Sequence, residues 1–114
     1  VELGASLTTI DLSDPAVPLF GTEAMRTVDG VRVLWTGDVS HNGIVKYTGS
    51  DNDRDPILQQ VGGSVPTAIA TGYHPTDGNM DGLIKYTGSS NDRDPILTVI
   101  GGTVPTAVRV EQVP

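Results

Sequence analysis

Two stretches of this 114-residue chain carry short oxygen side chains at alternate positions: Asp38, Ser40 and Asn42 ahead of Gly43, and Asp77, Asn79 and Asp81 ahead of Gly82. Oxygens at every second residue, followed by a glycine able to turn sharply, curl toward a common centre and suit a hard divalent cation. Composition points the same way. Of the 14 acids, 11 are Asp; eight of these, and all four Asn, fall within residues 38–55 and 77–94, whereas a solvated surface would mix Glu with Asp. Cysteine is absent, which removes disulfides, thiolate metal sites and Cys nucleophiles together.

The two stretches belong to a duplication. Sliding the chain by 39 residues aligns 38–68 with 77–107, and 20 of the 31 pairs are identical. Counted from Asp38 and Asp77, position 6 is glycine, position 7 offers the carbonyl of Ile44 or Leu83, and position 8 is the apolar Val45 or Ile84. This resembles the opening of an EF-hand calcium loop. An EF-hand loop closes with an acid at position 12, yet simple counting puts Gly49 and Gly88 there. Omitting the six residues 46–51 and 85–90 restores the register: Asn52 and Asn91 become position 9, and Asp55 and Asp94 become position 12, directly before a helix.

A terminal Asp followed at once by a helix, twice in tandem, resembles the dockerin-type repeat. The expanded form, with Lys-Tyr-Thr-Gly in the insertion and Asn-Asp-Arg-Asp-Pro-Ile-Leu after it, is similar to the C-terminal region of large secreted or surface proteins of Bacteroidota. The resemblance implies an extracellular, bacterial cell-surface module with two Ca2+ sites, one per repeat. The implied ligands are Asp38, Ser40, Asn42, Asp55 and the carbonyl of Ile44 in the first, and Asp77, Asn79, Asp81, Asp94 and the carbonyl of Leu83 in the second. The second set has three carboxylates and the first two, so tighter binding is expected at the second. The resemblance also implies a possible cohesin-like partner, docked through the helices.

The elements that must hold these loops are short. Pro56 and Pro95 suit a first helical turn, Gly62-Gly63 and Gly101-Gly102 end a helix, and Pro66 and Pro105 prevent its resumption. Helices over 55–61 and 94–100 are expected, with Ile57, Leu58, Val61, Ile96, Leu97 and Ile100 as their apolar faces. Asp53 and Asp92 read as helix caps or as extra ligands, the cap preferred. Arg54 and Arg93 read as groups bracing the carboxylates, and His41 and His74 as exposed loop residues. The tyrosine of each insertion is either a contact anchor for a partner or a ring packed over the helix.

Residues 1–35 differ in kind. Residues 7–12 and 31–35 alternate and are β-branched, so each reads as a strand, the second after an Asp29-Gly30 turn, with residues 14–18 a turn or linker. Two strands make no stable sheet alone. They pack on the repeats, end a preceding β-sandwich, or complete a neighbour's sheet. The expected architecture is therefore small α+β: a β-strand segment over 1–35, then a pseudo-twofold pair of calcium loop-helix units over 36–114.

A formal charge of −7 is opposite to what a nucleic-acid binder needs, and no apolar run approaches a membrane span. No nucleophile elbow, phosphate loop or zinc motif is present, so an enzyme is not expected. The remaining functions are a structural module that assembles as a homo-oligomer or as a fibre by strand addition, a dockerin that recruits an enzyme or anchor, and an accessory piece of a hydrolase or adhesin.

Overall fold

The computed structural model describes residues 9–19 and 21–110. The chain divides after Trp35, with Thr36–Glu111 forming the second unit. The molecule is a small mixed α+β protein, with two helices and three two-stranded antiparallel sheets among the described residues. Among the described residues no helix is long and apolar enough to cross a membrane.

In the first unit, β1 (Arg26–Val28) and β2 (Val31–Val33) form a hairpin with Arg26 opposite Val33. Its turn residues Asp29 and Gly30 both have positive φ, 51° and 80°, as a type I′ turn requires. The expected strand at 31–35 thus stops at Val33. The other expected strand, 7–12, begins outside the described residues, and residues 9–12 are not strand. The reason is local: Asp11 accepts the Ser13 N–H on its side chain, Asp14 N–H binds the Asp11 carbonyl, and the backbone is bent into successive turns. Arg32 holds those turns to the hairpin through the carbonyls of Asp14 and Val17.

In the second unit the order is β3 (Ile44–Lys46), α1 (Arg54–Gln60), β4 (Ile69–Thr71), β5 (Leu83–Lys85), α2 (Arg93–Val99) and β6 (Val108–Val110). Pairing runs between the repeats. β3 of the first pairs with β6 of the second, Ile44 opposite Val110, and β4 of the first pairs with β5 of the second, Ile69 opposite Lys85. The helices cross over likewise, α1 packing on β5 and α2 on β3. The core lies at this crossing: Val45, Ile57, Ile84 and Ile96 are fully buried, with Val61, Val99 and Ile100 around them. Each such side chain contributes about 1.5–3 kcal/mol of transfer free energy. Leu58 and Leu97 are only half-buried, and in the second helix Val99 takes the core position instead.

Both helices begin and end one residue earlier than expected, with Val61 and Ile100 at their C-caps. Gly62 N–H binds the Gln59 carbonyl and Gly63 N–H the Leu58 carbonyl, a Schellman motif whose φ values of 114° and 81° call for glycine; Gly101 and Gly102 repeat it.

Candidate metal centre

The first half of each repeat is curled by its own leading aspartate. Asp38 accepts N–H bonds from Asn42 (3.0 Å) and Gly43 (2.8 Å), and Asp77 accepts them from Asp81 (3.1 Å) and Gly82 (2.9 Å). Asn42 and Asp81 each accept the N–H two residues on, from Ile44 and Leu83. The turn demands left-handed backbone at positions 4 and 6 in both loops: φ is 58° and 61° at His41 and Met80, and 81° and 82° at Gly43 and Gly82. β3 and β5 follow, pinning position 8, Val45 and Ile84, in the core.

The six-residue insertion is looped out at a neck. Lys46 and Asp53 bond twice, Asp53 N–H to the Lys46 carbonyl (2.8 Å) and Lys46 N–H to the Asp53 carboxylate (2.7 Å); Lys85 and Asp92 do the same. Chain entering and leaving the insertion is thereby brought back into register.

Asp53 and Asp92 correct the cap assignment. Each stands at the N-cap position but makes no side-chain bond to its helix. Both are fully buried and hold the loop together instead: besides Lys46, Asp53 accepts the N–H and hydroxyl of Ser40 (3.0 and 2.9 Å), and Asp92 accepts Gly78 N–H (2.9 Å). The capping is done one residue earlier. Asn52 Oδ1 accepts the N–H groups of Arg54 and Asp55, and Asn91 those of Arg93 and Asp94. Burial pushes the Asp92 carboxyl above the ordinary range; N–H bonds from Lys85, Asn79 and Gly78 pull it back, and the Asp77 charge raises it further.

Arg54 and Arg93 do not brace the carboxylates. Each guanidinium lies over the ring of its insertion tyrosine, 4.6 Å from the centroids of Tyr47 and Tyr86, with Nε buried and unbonded. The insertion lysines turn to carbonyls, Lys46 Nζ to Ser50 (2.6 Å) and Lys85 Nζ to Ser89. Both local cations in each repeat are thus directed to a ring and a carbonyl, away from the loop acids.

The donor set is all oxygen, as calcium requires. The curl unites positions 1, 5 and 6 of each loop, with Asn79 Oδ1 also accepting Asp81 N–H. Asp55 and Asp94 sit exposed at the helix starts, each taking an N–H from its capping Asn at 3.0 Å. Among the described residues no three His, Cys, Asp or Glu side chains gather as a metal cluster, so Asp77, Asp81 and Asp94 are not drawn together. His41 and His74, both exposed, line a groove of about 340 Å³ with Val39, Pro56 and Thr76. The buried aspartate braces and the Arg–Tyr stacks escaped the sequence reading; the one available signal was their strict repetition in both copies. No family model, curated protein or solved structure matches this chain.

Proposed function

We propose that residues 36–111 are a pair of dockerin-like calcium loop-helix units, one Ca2+ per repeat, serving as a structural and assembly module of an extracellular or bacterial cell-surface protein. The ligands are Asp38, Ser40, Asn42, Asp55 and the Ile44 carbonyl in one loop, and Asp77, Asn79, Asp81, Asp94 and the Leu83 carbonyl in the other. The observation that carries this reading is that Lys46, Arg54, Lys85 and Arg93 are engaged by carbonyls and rings, so the loop acids have no neighbouring counter-charge from them. A bound cation supplies that charge and the inward pull on the closing Asp. The module's work is mechanical: calcium at the concentrations found outside cells holds a small core in place, within a homo-oligomer or fibre of such units. Calorimetry on chelator-stripped protein should find two calcium ions per chain and poor competition by magnesium, which demands a compact octahedron. Absence of calcium heat together with an unchanged melting curve would reject it.

A further inference from the structure

The repeats are joined by residues 72–76, and the contacts that make them one body run from one repeat to the other. β3 finds its partner in β6 and β4 in β5, α1 rests on β5 and α2 on β3. Thr48 donates its hydroxyl to the Pro105 carbonyl, and Thr87 to that of Pro66, both at 3.0 Å. Neither half contains a sheet of its own, and a seven-residue helix is not stable alone. Each half is therefore a surface that the complementary half satisfies, and a second chain carries that half with identical registers.

We propose that this domain exchanges halves between copies: residues 38–71 of one chain close on residues 77–110 of another, rebuilding the same β3–β6 and β4–β5 ribbons across two chains. The connection is suited to opening. Gly72 has φ of 114°; its N–H bonds the Gly82 carbonyl (2.9 Å), Asp77 N–H closes a turn on the His74 carbonyl, His74 Nδ1 pairs with the Thr76 hydroxyl (3.0 Å), and the Tyr73 ring lies beside Gly82. Tyr73 is 83% exposed, and only Thr76 is buried. Opening the link thus sacrifices little that the exchanged form does not restore. A short flexible link holds its halves at an effective concentration of about 1 mM. Exchange accordingly competes when chains are crowded to that level or refold together. In the exchanged form each candidate loop is completed by a strand from the other chain. Exchange rests on the strand pairing and not on the metal reading, and the closed and exchanged forms build the same loops.

The absence of cysteine allows a clean test. Thr71 and Leu83, exposed and opposite each other in the β4–β5 ribbon, are replaced in separate full-length chains, Thr71→Cys and Leu83→Cys. The two are mixed unfolded, refolded at high and at low concentration, and oxidised. At high concentration the expected result is a shift from one-chain to two-chain mass, with the disulfide joining one chain of each kind; low concentration should give monomers. Unmodified chain refolded in parallel at high concentration should itself show a two-chain fraction by light scattering, and its absence there would equally overturn exchange. Monomer alone at every concentration, or disulfides joining chains of the same kind as often as of different kinds, would overturn exchange. Calcium calorimetry on the same samples reads the metal proposal separately.

Discussion

The two loops share one backbone and differ in the atoms they offer. The φ values agree within 3° at His41 and Met80, at Gly43 and Gly82, at Gly49 and Gly88, and at Asp51 and Ser90. Under the repeat, Ser40 and Asn42 nevertheless correspond to Asn79 and Asp81, and the exposed Gln60 to the buried Val99. What is identical is the scaffold: the leading Asp, the turning Gly, the Lys–Asp neck, the capping Asn and the Arg–Tyr stack. What varies is the set of donors and several core positions, where Val39, Val45 and Val61 are matched by Gly78, Ile84 and Ile100 and Gln60 by Val99. Shape is therefore held by buried hydrogen bonds, while affinity is free to be tuned.

Chelation should affect both loops at once and give the largest effect. If calcium stands at a hundred times its dissociation constant, its loss removes about 2.7 kcal/mol per site, and two such losses approach the whole stability of a small domain. The cooperative thermal transition of residues 36–111 should disappear in excess chelator. Next in size, Asp53→Ala and Asp92→Ala should each destabilise by about 3 kcal/mol or more, because two backbone N–H groups at Asp53 and three at Asp92 lose their acceptor. Denaturant titration should give nearly equal losses in the two variants; a much milder loss in either would break the scaffold equivalence. The smallest effect belongs to the donors. Asn42→Asp and Asp81→Asn, made together, should invert the order of the two calcium affinities, each moving by about tenfold or ~1.4 kcal/mol, with the melting curve in saturating calcium little changed.

Much of each loop was legible from spacing alone. Glycine at position 6, the looped-out insertion, the glycine pair ending each helix and the buried Val45 and Ile84 all follow from rules that act within a few residues. Asp53 and Asp92 were not legible, because an Asp before a helix fits a local cap as well as a distant brace, and the capping Asn one residue earlier decides the matter. The strand pairing was hidden for a related reason. Three-residue strands carry almost no periodicity, and their partners lie in the other repeat, so nothing within one copy announces β3–β6 or β4–β5. Arg54 was assigned to the nearest acids by charge, whereas Tyr47 lies under it.

The register of β3 with β6 also decides how the unit answers a pull. Ile44, nearest the start of the unit, is opposite Val110, nearest its end. Tension applied along the chain from both sides enters the ribbon at that one pair, and the hydrogen bonds then bear the load singly, as in a zip, rather than sharing it as in shear. The β4–β5 ribbon lies between, outside the load path until β3–β6 has opened. Stretched end to end, the unit should yield first at Ile44–Val110 and at low force, releasing slack before the rest of the structure is strained.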